Sequence, residues 1–325
     1  MDMTSLNLAE NEIAFPGLGI NGITVNSVAF SLFGIDIAWY GIIIACGMML
    51  AIIFGLSQMK KFGIDPDRAT DVIIGGIIGG VIGARAYYVI MNWQDYAGDW
   101  KSIFQTRNGG LAIYGGIIGA LLVGVIMCRI RKVRILPLFD VASMGFLIGQ
   151  GIGRWGNFFN HEAFGTNTDL PWGMTSGRIQ QWIAENNEYG TALESLTPER
   201  AVHPCFLYES LWCLLGFAVL FIISKHRKFD GQIFLCYILW YGTGRAVIEG
   251  LRTDSLMVGS IRISQLLAIV SAIAALILIC VFTSKVNRMG GEYVFYRDTE
   301  ESKRLIAESE EQHTKEKTKN DNIKE

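Results

Sequence analysis

Charged and polar side chains interrupt the apolar segments of this sequence at a few positions, and their spacing is that of helix faces. Tyr241, Arg245 and Glu249 follow one another at intervals of four residues, so they share one face of a helix. Arg154 and Asn157 are three residues apart and share a face in the same way. Arginine holds phosphate through planar, bidentate donors, so several arginines converging on one side suggest a site for a phosphate-bearing anion.

Such groups are costly in an apolar segment. A charged side chain within a bilayer costs roughly 2.5 to 3.5 kcal/mol on insertion scales, and this chain carries several. Pairing or hydration must therefore compensate a total cost on the order of 10 kcal/mol. The default interpretation of such charges is that they line a functional cavity. The alternative for each charge is an internal ion pair that only locks the helices together. That alternative applies most to Arg85, deep in the second apolar block, and to Glu249.

The elements that must position these groups are transmembrane helices. Of the 325 residues, 51% are hydrophobic and 18% are charged, whereas a soluble domain usually has about 25% charged residues. The apolar residues form blocks long enough to cross a bilayer. We therefore predict an all-α, polytopic membrane protein, a bundle of about seven transmembrane helices. The spans are predicted near residues 37–57, 72–91, 110–128, 136–153, 204–224, 232–250 and 263–283.

Lysine and arginine in the short loops predict the orientation. They follow the first, third, fifth and seventh spans, which places these loops on one side, the cytoplasm. The N-terminus is then outside and the C-terminus cytoplasmic. The predicted divisions are an outside segment at 1–36, a transmembrane catalytic domain at 37–283 with an outer-face segment at 154–203, and a charged cytoplasmic tail at 284–325. The composition of the tail predicts disorder.

Glycines recur at intervals of four in the second and third predicted spans. Gly75, Gly79 and Gly83 form one series, and Gly115 and Gly119 form another. Small residues at this spacing let helix backbones approach closely within lipid, so we expect tight helix packing at these positions.

One run of residues resembles the signature of a known family. Residues 153–165, with the sequence GRWGNFFNHEAFG, are similar to the signature of the prolipoprotein diacylglyceryl transferases. The resemblance covers roughly residues 25 to 285 and leaves out both ends of the chain. Further matching segments are 39–41 (WYG), 83–85 (GAR), 109–116 (GGLAIYGG), 203–209 (HPCFLYE) and 241–252 (YGTGRAVIEGLR).

The resemblance implies the activity. The family moves the diacylglyceryl group of phosphatidylglycerol to the thiol of the lipobox cysteine in preprolipoprotein signal peptides. A thioether forms and glycerol phosphate leaves, as the first step of bacterial lipoprotein maturation. The expected location is the bacterial cytoplasmic (inner) membrane, with the active site facing the outer leaflet and membrane lipids around it. The family implies no cofactor, the chain shows no metal-ligand spacing, and no nucleic-acid partner is expected.

Spacing and resemblance together give the candidate site. Arg154 and Arg245 are expected to hold the phosphate, and Asn157 and Asn160 to hydrogen-bond the glycerol headgroup. Glu162 and Glu249 are expected to orient the arginines, or one of them to accept the thiol proton. The catalytic candidates are Arg154, Arg245, Tyr241, Tyr114, Glu162 and Glu249. The substrate-binding candidates are Arg154, Asn157, Asn160, Gly165, Arg85, Tyr40, His203 and Arg252.

Tyr114 is a departure from part of the family. Some members carry histidine at this position, and that histidine has been considered for a catalytic role. Tyrosine, with a reference pKa near 10, is a poor base at neutral pH, although it can donate a hydrogen bond or orient the lipid. His161 and His203 are the remaining histidines near the candidate site, and the sequence does not choose between them.

Three other functions compete with this interpretation. A solute or ion transporter also places charges within a helical bundle, but the polar cluster is one-sided and the chain shows no repeat of its halves. An intramembrane protease needs a Ser-His pair, paired aspartates or HExxH; the sequence has no HExxH and no second intramembrane aspartate for Asp140. A purely structural membrane protein leaves the buried arginines unexplained.

Overall fold

The computed structural model describes residues 8–98, 100–105, 109–188, 196–253, 257–258 and 261–324. The chain divides into two compact units, which we describe separately. The first unit comprises residues 1–53, 143–228 and 232–288, and the second comprises 54–142, 229–231 and 289–325.

Helices make up most of the described chain. They are α1 (Trp39–Met59), α2 (Pro66–Met91), α3 (Trp93–Tyr96), α4 (Ile113–Arg131), α5 (Ile135–Phe159), α6 (Gly177–Glu188), α7 (Cys205–Ser224), α8 (Gln232–Glu249), α9 (Ile263–Arg288) and α10 (Glu300–Lys324). The strands are β1 (Glu12–Phe15), β2 (Ile20–Thr24), β3 (Val28–Leu32), β4 (Ile35–Ala38), β5 (Thr175–Ser176), β6 (Met257–Val258) and β7 (Ile261–Arg262).

Six of the helices in the described residues are long and apolar enough to cross a membrane. They are α1, α2, α4, α5, α7 and α9, which confirms the prediction of a polytopic helical membrane protein. The remaining predicted span coincides with α8, an 18-residue helix whose charged residues Arg245 and Glu249 lower its mean hydropathy. The seventh span therefore stays a prediction, as does the orientation of the termini.

Short strands precede the first long helix, an addition to the all-helical prediction. In the first unit β1 pairs antiparallel with both β2 and β5, and β3 pairs with β4. Ile13 and Ala14 of β1 are buried. Strands this short are held by their contacts with the rest of the unit rather than by their own sequence pattern.

Glycine packing joins α2 and α4 in the second unit, as the spacing predicts. A methyl group at Gly83 would lie 2.4 Å from the carbonyl oxygen of Gly115, and one at Gly119 would lie 2.2 Å from that of Gly79. Side chains larger than hydrogen would force the two backbones apart. The small residues thus act through close helix contact.

Two tryptophans lock α7 to α8 in the first unit. The indole N–H of Trp212 donates to the carbonyl oxygen of Trp240, and that of Trp240 donates to the carbonyl oxygen of Trp212, both at 3.0 Å. The rings stack with centroids 4.5 Å apart. Each indole packs against a glycine of the other helix, Trp212 against Gly244 and Trp240 against Gly216. This pairing fixes the register in which α8 presents its polar face.

The charged tail forms a helix, which differs from the disorder that its composition predicts. In the second unit Ser302 is fully buried and donates to the carbonyl oxygen of Gly63 at 2.7 Å. Glu310 pairs with Lys60, and Glu301 pairs with Arg134, each at 2.7 Å. Basic residues after the first and third predicted spans thus pair with acidic residues of α10. These contacts with other parts of the second unit stabilise a helix that the composition of the tail alone disfavours.

Gly244→Ala tests the tryptophan lock. The added methyl would lie 2.1 Å from the indole nitrogen of Trp212, and overpacking of this kind typically costs about 1–3 kcal/mol. We expect a lower thermal unfolding midpoint in detergent, followed by intrinsic fluorescence. Gly124→Ala is the matched control, since a methyl there meets no heavy atom within 4 Å. Equal midpoints for the two variants would contradict the lock.

Candidate active site

A buried carboxylate, Glu209 of α7, lies at the centre of the charged groups in the first unit. Its side chain is 4% exposed, and it receives guanidinium groups from three other parts of the chain. The N···O distances are 2.5 Å to Arg154, 3.2 Å to Arg245 and 3.0 Å to Arg252. Removing a charge from water costs several kcal/mol, so this carboxylate depends on its partners. We call these residues, together with Glu249, the arginine cluster.

Glu249 completes the arginine cluster. It lies one turn after Arg245 on α8, as the spacing predicts, and pairs with that guanidinium at 2.6 Å. Among the described residues of this cluster, three arginines face two glutamates. Guanidinium groups held this close together favour the binding of an anion.

Two of the arginines stay accessible. The side chains of Arg154 and Arg245 are 20% and 19% exposed, whereas the glutamates beside them are almost fully buried. Arg154 uses Nη2 for Glu209, and its Nε and Nη1 have no hydrogen-bond partner among the described residues. Guanidinium donors are therefore available to an incoming ligand.

A polar relay links the two helices that carry Arg154 and Glu209. The indole N–H of Trp155 donates to the Ser210 hydroxyl at 3.2 Å. That hydroxyl donates to the carbonyl oxygen of Gly151 at 2.8 Å. α5 and α7 are thus linked on both sides of Arg154. Helix α5 ends at Phe159, beyond the predicted 153, so Arg154 and Asn157 share a helix face as expected.

Crossing backbone segments hold Arg252 and His203 near Gly165. The Gly165 N–H donates to the carbonyl oxygen of His203 at 2.9 Å, and the Thr166 N–H donates to that of Leu251 at 2.8 Å. A methyl at Gly165 would lie 2.8 Å from the Cβ of His203. Gly165 therefore permits this crossing, and its predicted contact with substrate remains a prediction.

His203 is held from one side. Its Nδ1 lies 3.1 Å from the hydroxyl of Tyr208, which also accepts the indole N–H of Trp172 at 2.8 Å. Burial lowers the pKa of His203, which favours the neutral ring at pH 7.

The signature loop after α5 groups two amides around one carboxylate. The side-chain amides of Asn157 and Asn160 donate to Oε1 of Glu162 at 2.9 and 3.3 Å. His161 and Ala163, on either side of the exposed Glu162, have φ values of +54° and +56°. A left-handed backbone is strained at residues other than glycine, and the surrounding structure must hold it in place. Strained residues of this kind are more frequent at functional sites.

His161 anchors the same loop. It is 5% exposed, and its Nε2 lies 3.1 Å from the carbonyl oxygen of Val25, so Nε2 carries the proton. Burial is the largest influence on the ring and lowers the pKa of His161. The geometry gives this histidine a structural role in the loop.

Aromatic rings pack on the helices that carry Arg154 and Arg245. Tyr241, one turn before Arg245, stacks on Tyr237 with ring centroids 5.8 Å apart. The ring of Tyr40 lies against Gly156, where a methyl group would be 2.7 Å from the ring edge. These contacts place both predicted tyrosines beside residues of the site.

Arg85 and Tyr114 belong to the second unit. The Arg85 guanidinium donates at 2.7–3.4 Å to the carbonyl oxygens of residues 102, 103, 105, 109 and 110. These bonds engage each of its three nitrogens. They favour a role for Arg85 in holding the backbone that carries these carbonyl groups, rather than the direct substrate contact that the sequence predicts. Tyr114, on α4, is 53% exposed. The predicted functions of both residues stay predictions.

Glu209 is the residue that the sequence reasoning left out of the candidate site. It appears within the matching segment 203–209, yet no pairing was assigned to it. The available signal was its isolation, because it is the one charged residue between 205 and 224. A charge in that setting needs opposite charges from other parts of the chain, and the candidate site already held Arg154, Arg245 and Arg252 as possible partners.

The chain is similar to known proteins over most of its length. A family model described as prolipoprotein diacylglyceryl transferase matches residues 27–281. The chain is 42% identical over 264 residues to a phosphatidylglycerol–prolipoprotein diacylglyceryl transferase of Clostridioides difficile, across 81% of this chain and 98% of that protein. Proteins of the same name from Enterococcus faecalis and Finegoldia magna are each 41% identical, over 285 and 255 residues. These alignments cover 86% and 78% of this chain, and 97% and 94% of the two relatives.

Glu209→Gln tests the central ion pairs. Removing one member of a buried ionic group typically costs about 3–5 kcal/mol, since the partners keep uncompensated charge. We expect a large fall in the thermal unfolding midpoint in detergent. The same change at the exposed Glu162 should cost within about 0.5 kcal/mol. A Glu209→Gln protein as stable as the Glu162→Gln protein would show that the carboxylate does not hold the arginines.

His161→Asn tests the protonation of the loop histidine. Because the folded-state pKa is lowered, the unfolded chain takes up the proton first as pH falls. The stability from neutral His161 is thus present above about pH 6.5 and is lost below it. Asparagine tolerates positive φ and keeps a donor for Val25. The unfolding midpoint should fall less between about pH 8 and pH 5 in the variant than in the unchanged protein. Equal falls would show that His161 does not cause the pH-dependent loss of stability.

Proposed function

Because this chain belongs to the prolipoprotein diacylglyceryl transferase family, we propose that it transfers the diacylglyceryl group of phosphatidylglycerol to a prolipoprotein. The protein is a multi-pass membrane transferase by family and by its long apolar helices. The acceptor in our proposal is the lipobox cysteine thiol of the preprolipoprotein signal peptide. The site lies in the bacterial cytoplasmic membrane and faces the outer leaflet, the side to which loop charges assign Arg154 and the signature loop.

The arginine cluster is the observation that carries this proposal. Arg154 and Arg245 approach one carboxylate, and their side chains stay partly exposed. A phosphodiester bound between them would place its negative charge beside both guanidinium groups. Planar guanidinium groups suit phosphate oxygens, which accept two parallel hydrogen bonds.

The chemistry follows from where charge develops. The cysteine sulfur bonds to the glycerol carbon that carries the phosphate, and the bond from that carbon to the phosphate oxygen breaks. The electron pair of that bond leaves with glycerol phosphate, whose added negative charge Arg154 and Arg245 stabilise. The thiol proton must leave before or during the attack, because the thiolate is the nucleophile.

Glu162 is the better placed of the two glutamates for that proton. Glu249 is buried and held by Arg245, whereas Glu162 is exposed at the end of α5 and only its Oε1 accepts hydrogen bonds from described residues. Asn157 and Asn160 fix the orientation of Glu162 and offer further contacts to the glycerol headgroup. The positive field of the arginines lowers the pKa of a nearby thiol in addition.

Arg154→Ala and Arg245→Ala test the phosphate site. Loss of one donor to developing charge typically lowers the rate by about 10²–10³-fold, and we expect at least that loss for each. Purified protein in detergent receives phosphatidylglycerol and a synthetic lipobox peptide, and mass spectrometry measures the gain of one diacylglyceryl group. A peptide with serine in place of cysteine should gain nothing.

Arg200→Ala is the matched control. Arg200 is exposed and pairs only with Asp169 at 2.8 Å among the described residues, so its loss should leave transfer unchanged. Full transfer by a folded Arg154→Ala or Arg245→Ala protein would contradict the proposal that these arginines bind the phosphate. If the unchanged folded protein modifies no peptide while a working relative does, the transferase assignment itself fails.

A further inference from the structure

Gln150 of α5 and Tyr237 of α8 form a polar pair away from the arginine cluster. The side-chain amide of Gln150 lies 3.0 Å from the hydroxyl of Tyr237. Gln150 precedes Arg154 by four residues and Tyr237 precedes Arg245 by eight, distances of about 6 and 12 Å along the helix axes. Both members are therefore displaced from the arginines toward the starts of their helices, which is deeper in the predicted membrane.

The hydrogen bonding of this pair is incomplete. The amide and the phenol carry three donor hydrogens, and their mutual bond uses one. Oε1 of Gln150 is buried without a hydrogen-bond partner among the described residues. If the amide is turned over, the phenol donates to that oxygen and both amide hydrogens are left. The turned-over amide is the arrangement that satisfies this buried oxygen, and it leaves two donor hydrogens, so the group that would complete the pair is an acceptor.

Aromatic rings connect the pair with both the surface and the arginine cluster. The ring of Tyr237 lies 6.1 Å from that of Phe146, which is 53% exposed. Its other neighbour is Tyr241, stacked at 5.8 Å with an interplanar angle of 12°. Tyr241 is one turn before Arg245. A row of aromatic side chains thus runs from the exposed Phe146, past the unused donors, to the residue one turn before Arg245.

We propose that Gln150 and Tyr237 bind an ester carbonyl oxygen of the diacylglyceryl donor and so position its glycerol carbon. The inference rests on the proposed function and deepens it. One glycerol of phosphatidylglycerol carries both the phosphate and the acyl esters, so a phosphate at Arg154 and Arg245 directs the esters toward the next turns of α5 and α8. An ester carbonyl accepts hydrogen bonds and donates none, which matches the unused donors.

Both residues are positioning residues, because neither contacts the bonds that form or break. Their effect is a preference for acyl-ester lipids over ether lipids, whose chains lack the carbonyl oxygen. One hydrogen bond between neutral groups contributes about 1 kcal/mol, or about fivefold in an equilibrium constant.

The test compares ordinary phosphatidylglycerol with a dialkyl ether analogue of the same chain length. Full-length protein in detergent transfers to the lipobox peptide, and KM and kcat are measured for the lipid. We expect the unchanged protein to show about fivefold higher KM for the ether lipid. Gln150→Leu and Tyr237→Phe should raise KM for the ester lipid by a similar factor and leave KM for the ether lipid unchanged.

Tyr87→Phe is the control, since the hydroxyl of Tyr87 on α2 makes no hydrogen bond to any described residue; it should keep the ester preference. Tyr237→Phe removes a single oxygen atom and keeps the inference testable if Gln150→Leu does not fold. If Gln150→Leu and Tyr237→Phe raised KM equally for both lipids, the pair would have a structural or water-binding role and the inference would be overturned. It would also be overturned if the unchanged protein had the same KM for both lipids.

A second measurement separates this inference from the transferase assignment. Each lipid is added without peptide, and the rise in thermal unfolding midpoint reports binding without chemistry. A larger rise with the ester lipid that disappears in Tyr237→Phe would support the ester site even if no peptide were modified, and the transferase assignment alone would fail. Equal rises with both lipids in the unchanged protein would overturn the ester site, whatever the transfer assay gave.

Discussion

The burial of the Glu209 carboxylate is the constraint on which the rest of the site depends. A charge with 4% exposure in an apolar helix needs opposite charge close by, and the chain brings it from α5, α8 and the segment after α8. The fold must therefore hold these elements in one arrangement, or leave costly charges unpaired. The same pairs that satisfy Glu209 aim the guanidinium groups at one place.

Close packing supplies the rigidity that such pairs need. The reciprocal bonds of Trp212 and Trp240 fix α8 on α7, and the relay through Ser210 fixes α5 on α7. Both the tryptophan pair and the Ser210 relay lie within two helical turns of a charged residue of the site. Ion pairs between long side chains lose much of their value when the side chains move, so helix contacts of fixed register let the cluster keep its geometry.

Spacing along one helix was enough to predict part of this. The shared face of Arg245 and Glu249 appears in the structure as an ion pair, and the glycine series appear as close contacts of α2 with α4. Ion pairs between separate helices left no such pattern, which is why Glu209 was not recognised as the common partner. The helical tail was also missed, because its pairs with Lys60 and Arg134 join residues more than 150 positions apart.

The partial exposure of two arginines explains how one arrangement serves both stability and binding. The ion pairs with Glu209 and Glu249 hold the geometry, while the side chains of Arg154 and Arg245 remain 20% and 19% exposed. A neutral headgroup gains little beside these guanidinium groups, whereas a phosphodiester accepts charge-assisted hydrogen bonds from them. In the proposed reaction the leaving phosphate gains a further negative charge, so the cluster would stabilise the departing group more than the bound lipid, as catalysis requires.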